Sequence, residues 1–159
     1  MRLASRDVAA PFVHDVLARD GAVWVHERSD SMAPLLRAGD RLCLTPIAPA
    51  DVRPGQIVAC RRGHELVVHR VLACAGDRLV TKGDGLSYRD APAPVSDVVG
   101  RVTVVETAQE RRIDVDGVVW RVLERALALL SRASERTNGE SLVWKSTRLP
   151  AHVTAWCAR

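Results

Sequence analysis

Short apolar stretches alternate with turn residues through the middle of the chain, and this pattern predicts a mainly β protein. The expected strands cover residues 22–27, 56–61, 65–73, 78–81 and 98–106, with a further strand that ends at residue 44. Valine recurs throughout this region, and β-branched residues favour strands. Gly63-His64 and Gly76-Asp77 mark tight turns between neighbouring strands. We therefore expect a compact, mostly antiparallel β fold.

A helical period replaces the strand pattern near each end of the chain. Residues 5–19 and residues 118–135 each place apolar side chains on one face, and arginines are spread around the rest of the second segment. We predict a short N-terminal helix within residues 1–21, a β domain over residues 22–107 and a C-terminal appendage over residues 108–159 that contains an amphipathic helix.

Composition narrows the class of protein. The 159 residues suit one domain, with an ordinary globular balance of 47% hydrophobic and 26% charged residues. The net charge of +4 comes from arginines interleaved with acidic residues, so no nucleic-acid partner is expected. The chain shows no signal-peptide pattern and no run of about 18 apolar residues, which predicts a cytoplasmic protein. The four cysteines form no Cys-x-x-Cys pair and are expected to be free buried thiols rather than zinc ligands.

A polar turn after the first predicted strand carries the first candidate for chemistry. Residues 29–34 read Ser-Asp-Ser-Met-Ala-Pro, and Gly39-Asp40 follows. A serine placed directly after a strand can present its hydroxyl at a sheet edge, but it needs a neighbouring base to act as a nucleophile. The alternative interpretation is an ordinary Ser/Pro turn.

A candidate base lies in the segment Val-Val-His-Arg-Val at residues 67–71. Strand alternation puts His69 on one face with Val67 and Val71. A histidine among apolar neighbours is often only a core residue. An imidazole with a reference pKa near 6.5 is nevertheless well suited to accept a serine proton at neutral pH.

The third segment, Thr-Lys-Gly-Asp at residues 81–84, is followed six residues later by Asp90. Aspartates in Gly-rich loops commonly serve turn geometry, but a carboxylate can also orient an imidazole and stabilise its charged form. Lys82 is an alternative base, although its position beside Gly83 and Asp84 argues against this role.

In their order along the chain, these segments closely resemble the signal peptidase I family. The series within residues 22–105 is Ser-x-Ser-Met-x-Pro, Gly-Asp, Gly-Gln-Ile-Val, Val-His-Arg-Val, Lys-Gly-Asp and Val-Val-Gly-Arg-Val. That family shares a β fold with the LexA-type self-cleaving repressors. Bacterial signal peptidases and LexA-type proteins have a lysine where this chain has His69. The endoplasmic-reticulum and archaeal branch has a histidine there, and aspartates that match Asp84 and Asp90.

The resemblance implies a serine endopeptidase with a signal-peptidase/LexA-like β fold and no metal or other cofactor. Ser31 would attack the scissile carbonyl and His69 would take its proton. Asp90 is the first choice for the carboxylate that orients the imidazole, and Asp84 is the second. The backbone N–H of Ser31 and the hydroxyl of Ser29 would form the oxyanion hole.

The resemblance also implies how a substrate binds. An extended peptide, such as a leader or signal peptide of a preprotein, would pair with the strand that ends near Arg28 and would be cut after a small residue. The residues expected to contact this peptide are Val25, Glu27, Met32 and Pro34.

Two features differ from the family. Many members have glycine between the two serines, where this chain has Asp30, and family signal peptidases carry transmembrane anchors, whereas this chain shows no spanning segment. The helix predicted over residues 118–135 either packs on the β domain or makes a peripheral membrane contact in place of an anchor. A regulator of the LexA type that cleaves itself and a non-catalytic peptide-binding module are the alternative functions.

Overall fold

The computed structural model describes residues 3–4 and 10–115, and the prediction of a mainly β protein is confirmed for them. Nine strands form one sheet, and a single α-helix lies near the N-terminus of this part of the chain. The strands are β1 (Leu3–Ala4), β2 (Val23–His26), β3 (Arg41–Thr45), β4 (Ile57–Arg62), β5 (Glu65–Ala75), β6 (Arg78–Lys82), β7 (Ala93–Pro94), β8 (Val98–Glu106) and β9 (Arg112–Asp114). The helix is α1 (Ala10–Asp20).

The sheet has the order β1-β2-β3-β8-β4-β5-β6-β7, and β9 pairs with β8. The pair β1–β2 is parallel, and the other strand pairs among the described residues are antiparallel. Residues 101–106 of β8 pair with β3, whereas residues 98–101 pair with β4. One long strand therefore joins the two halves of the sheet.

Strand β4 is apolar along most of its length because it is buried on both faces. Ile57 and Ala59 belong to the larger apolar cluster, whereas Val58 and Cys60 belong to the smaller one. Alternate side chains of a strand point to opposite faces, so β4 divides the two clusters. The larger cluster also receives one face of α1, through Ala10, Val13 and Leu17.

Helix α1 agrees with the helix predicted over residues 5–19, of which residues 5–9 lie outside the described residues. Pro11 is the second residue of α1, where a missing N–H leaves no helical hydrogen bond unmade. The predicted helix over residues 118–135 also lies outside the described residues. None of the helices in the described ranges is long and apolar enough to cross a bilayer.

Three strands extend the sheet beyond the prediction. Strand β1 precedes the helix, and β7 lies within the stretch expected to be a loop. Strand β9 pairs with β8 past residue 107, where the β domain was expected to end. Each of these strands is only two or three residues long, which is too short to show a strand period in the sequence.

The described cysteines are free thiols. Cys43 and Cys60 are buried, as predicted, whereas Cys74 is half-buried. Burial raises the pKa of the Cys60 thiol to about 12, so this thiol stays protonated and unreactive.

Candidate active site

The turn that carries the two serines is anchored by apolar side chains on its C-terminal side. Met32 and Leu36 are buried in the larger apolar cluster, and the N–H of Leu36 donates to the carbonyl of Met32 at 3.1 Å. The N–H of Ala33 donates to the carbonyl of Asp30 at 3.0 Å. The core therefore fixes the backbone around Ser31 and leaves Ser31 itself half-buried.

Asp40 explains why Gly-Asp follows the serine turn. Its two carboxylate oxygens accept from the N–H groups of Arg37 at 2.9 Å and Ala108 at 3.1 Å. Its backbone carbonyl accepts from the N–H of Glu27 at 2.8 Å. Asp40 therefore connects the serine turn to the segment that follows β8 through hydrogen bonds. The side chain of Asp30 likewise braces the turn, because it accepts from the N–H of Ala38 at 3.1 Å.

His69 lies on β5 and contacts Asp90. Its Nδ1 is 2.6 Å from Asp90 Oδ2, and both side chains are largely buried. A carboxylate acceptor requires the hydrogen on Nδ1, which leaves Nε2 as the basic nitrogen of a neutral imidazole. Of the two aspartates that the sequence offered for this position, Asp90 is the one that reaches the histidine.

Thr81 supports the same carboxylate and was missed from the sequence. Its hydroxyl donates to Asp90 Oδ2 at 2.6 Å, and its carbonyl accepts from the N–H of Asp90 at 2.8 Å. The signal available in the sequence was the strand alternation that puts Thr81 on the buried face of β6 with Leu79. A buried hydroxyl needs a partner, and the nearby loop supplies it.

The hydrogen bonds at Asp90 also control its charge. Burial by itself would raise the pKa of the Asp90 carboxyl. The hydrogen bonds from His69 and Thr81, together with the charges of His69 and Arg62, outweigh this effect and hold the pKa below its ordinary value. Asp90 is therefore an ionised acceptor for the imidazole at neutral pH.

Asp84 contacts Arg70 rather than His69, which corrects its candidacy as the second choice for orienting the imidazole. Arg70 Nε and Nη2 donate to the two oxygens of Asp84 at 2.8 and 2.6 Å. Arg70 Nη1 donates to the carbonyl of Gly55 at 2.7 Å, and its side chain is fully buried. The side chains of Arg70 and His69 point to opposite faces of β5, because they are neighbours in a strand. Asp84 and Asp90 therefore bind side chains on opposite faces of β5.

Two glycines let this loop pack directly against the serine turn. A Cβ added to Gly83 would lie 2.5 Å from the carbonyl oxygen of Ser31 and 3.0 Å from His69 Nε2. Gly85 donates its N–H to the same carbonyl at 2.8 Å. The close approach brings the serine, the imidazole and the loop that carries Asp90 together.

Ser31, His69 and Asp90 line one cavity of ≈ 520 Å³. Its walls come from residues 27–29 after β2, residues 65–69 of β5, and the loop that contains Leu86 and Tyr88. The hydroxyl of Ser31 is hydrogen-bonded to Ser29, and within residues 10–115 no hydrogen bond joins it to His69. Such bonds commonly tighten only when substrate is bound.

The predicted substrate contacts need correction. Val25 and Met32 are fully buried in the larger cluster, because they lie on the inward face of β2 and of the serine turn. Pro34 is half-buried and does not line the cavity; Glu27 does. The edge of β2 at Val25 and His26 is paired with β1, so a peptide strand would have to enter farther along, between residues 27–29 and β5.

Lys82, the alternative base, is buried and does not line this cavity. Within the described ranges, no group of three or more His, Cys, Asp or Glu side chains could hold a metal ion.

Comparison with known proteins finds no family model and no curated relative that matches the chain. A fold alone does not define an activity, so the residues of this cavity are the feature that bears on function.

Proposed function

We propose that the protein is a serine endopeptidase of the signal-peptidase type, in which Ser31 is the nucleophile, His69 the general base and Asp90 the carboxylate that orients the base. The single observation that carries the proposal is the 2.6 Å contact between His69 Nδ1 and Asp90 Oδ2 in the wall of a cavity that Ser31 also lines. The order of the motifs within residues 22–105, carried by a mostly antiparallel sheet, supports a signal-peptidase/LexA-like fold for the β domain.

The reaction proceeds through an ester of Ser31. Ser31 Oγ bonds to the carbonyl carbon of the peptide while its proton passes to His69 Nε2. The tetrahedral intermediate then expels the amine, which takes that proton from His69. In the second half, His69 takes a proton from water, the resulting hydroxide attacks the ester, and Ser31 regains its proton as the acid product leaves. Asp90 stabilises the imidazolium in both halves.

The substrate is an extended peptide. The cavity lies between the chain that leaves β2 and the first residues of β5. Residues 65–69 of β5 pair with β4 on one side, and the pairing of β5 with β6 begins only at Arg70, so the other edge of residues 65–69 can pair with a peptide strand in the cavity. Close backbone pairing leaves shallow pockets beside Ser31, which favours a small residue next to the cut.

The test is cleavage of a mixture of synthetic peptides that covers all pairs of neighbouring residues, with products read by mass spectrometry. The wild-type protein should cut after small residues, and Ser31→Ala should lower the rate by about 10⁴-fold or more. Its melting temperature should stay close to that of the wild type, because Ser31 is half-buried and packs little apolar surface. Equal cleavage by wild type and Ser31→Ala would refute the proposal.

The same samples separate the alternatives. A self-cleaving regulator would convert to two fragments in an intact-mass time course without added peptide. A peptide-binding module would retain peptides and leave them intact.

A further inference from the structure

Glu27 is an acidic residue at an inward-facing position. Strand β2 alternates buried Val23 and Val25 with half-buried Trp24 and His26, and Glu27 is the next residue on the buried side, with 6% of its surface exposed. A carboxylate rarely occupies such a position unless it is hydrogen-bonded. Its partners are in the serine turn.

One oxygen of Glu27 organises the start of this turn. Glu27 Oε1 accepts from the N–H of Arg28, the N–H of Ser29 and the hydroxyl of Ser29, each at 3.0 Å. The backbone of Glu27 is fixed as well, because its carbonyl accepts from the N–H of Gly39 at 2.8 Å. The carboxylate is therefore held at one place beside Ser29.

The hydrogen-bonding capacity of the Ser29 hydroxyl is fully used. A hydroxyl has one hydrogen and two lone pairs. Ser29 Oγ lies 3.0 Å from Glu27 Oε1, 3.0 Å from Ser31 Oγ and 3.4 Å from the Ser31 nitrogen. The carboxylate can only accept and the backbone N–H of Ser31 can only donate. A carboxylate is also a stronger acceptor than the Ser31 hydroxyl, so the hydrogen points to Glu27. Both lone pairs then face the O–H and N–H of Ser31.

We propose that Glu27 is a positioning residue that takes the hydrogen of the Ser29 hydroxyl, so that Ser29 holds the Ser31 hydroxyl as an acceptor and does not donate to the oxyanion. This inference rests on the proposed peptidase function. It changes the role that the family resemblance implies for Ser29. The Ser31 hydroxyl is held beside Ser29 until it turns to His69, and the oxyanion is stabilised without Ser29.

The kinetic test compares Ser29→Ala in three backgrounds, on a peptide that the wild-type protein cleaves. In the wild type, Ser29→Ala should lower kcat by no more than about 10-fold with little change in KM, because only one aligning hydrogen bond is lost. In Glu27→Gln, a charged oxyanion outcompetes the neutral amide for the Ser29 hydrogen. Ser29→Ala should therefore cost about 10²-fold or more there.

Two controls accompany this comparison. Ser29→Thr keeps the hydroxyl and should recover most of the kcat that Ser29→Ala loses. Glu106→Gln neutralises a carboxylate that binds Arg41 away from the cavity, and Ser29→Ala should cost the same in that background as in the wild type. Two results would overturn the role of Glu27. One is a fall in kcat of about 10²-fold or more on Ser29→Ala in the wild type, and the other is the same fold-loss on Ser29→Ala in the wild type and in Glu27→Gln.

The hydrogen bond is also tested without any activity, so that its failure is distinguishable from failure of the peptidase proposal. Ser29→Ala should lower the melting temperature by about 2–4 °C more in the wild type than in Glu27→Gln, because a hydrogen bond to a charged acceptor is stronger than one to an amide. Equal shifts in both backgrounds would contradict the hydrogen bond, even if Ser31→Ala abolishes cleavage. If no peptide is cut, an unequal shift supports the bond and only the peptidase function fails.

Discussion

The loop between β6 and β7 has two ends that use aspartate for different tasks. At the first end, Asp84 binds the fully buried Arg70 through two hydrogen bonds. At the second end, Asp90 binds His69 in the wall of the cavity. The shortest contact is 2.6 Å at both ends, so contact distance does not distinguish the two carboxylates. Their partners do, because a guanidinium keeps its protons whereas an imidazole can exchange one.

The role of a carboxylate thus depends more on the side chain that it binds than on its position in a sequence motif. Asp84 and Asp90 belong to one short segment, yet β5 presents Arg70 to one of them and His69 to the other. We expect the Arg70–Asp84 end to govern stability and the His69–Asp90 end to govern activity. Four substitution and pH experiments test this separation.

The largest expected effect is on activity at the second end. Asp90→Asn keeps the shape of the side chain but favours the wrong tautomer of His69, because an amide can donate to Nδ1. We expect kcat to fall by about 10³-fold with a small change in the free energy of unfolding. Cleavage rates and urea unfolding of the same preparation check this. If Asp90→Asn loses most of its stability and little of its activity, Asp90 is a structural residue like Asp84.

The next largest effect is on stability at the first end. Asp84→Asn leaves the buried Arg70 guanidinium without its counter-charge, and we expect the free energy of unfolding to fall by about 3–5 kcal/mol. Urea unfolding measures it. The double variant Arg70→Met/Asp84→Leu removes both charges and should be more stable than Asp84→Asn. If the double variant is the less stable of the two, the ion pair is not the reason for the loss.

A smaller effect is expected from Thr81, which supports the second end. Thr81→Val keeps the volume of the side chain but removes the hydroxyl that donates to Asp90, so we expect kcat to fall by about 10-fold. Thr103→Val is the matched control, since that buried hydroxyl donates to the carbonyl of Cys43 outside the cavity. Equal activities of the two variants would remove Thr81 from the site.

The smallest effect concerns acid. The hydrogen bonds of Asp90 lower its pKa in the folded protein, so its ionised form stabilises the fold above the pKa of an unfolded aspartate, near 3.9. This contribution is lost as the pH falls through the folded pKa. The difference in unfolding free energy between wild type and Asp90→Asn should therefore shrink as the pH falls below about 4. A difference that stays the same or grows as the pH falls further below about 4 would contradict this assignment.

The strands that carry a clear period could be predicted from the sequence. Strands β2, β4, β5, β6 and β8 begin and end within two residues of the expected positions, because alternating or buried apolar runs determine them. Strands β1, β7 and β9 could not, since strands of two or three residues are set by the neighbour they pair with.

The site was predictable as a set of residues but not as a set of contacts. Motif order brought Ser31, His69 and Asp90 together, whereas the pairing of Asp84 with Arg70 depends on the path of a loop that has no period. Val25 was expected to contact substrate because it lies on the strand before the serine turn. Its inward orientation, visible in the alternation of β2, should have excluded its side chain.

Detection of a covalent intermediate on Ser31 tests directly whether this residue is the nucleophile. The wild-type protein is mixed with an ester analogue of a peptide that it cleaves, quenched in acid within the first turnovers, and examined by intact mass and peptide mapping. We expect an acyl adduct on Ser31, which is absent from Ser31→Ala and forms much more slowly in His69→Ala. Cleavage that proceeds with the adduct on another residue, or unchanged in Ser31→Ala, would contradict the role of Ser31 as the nucleophile.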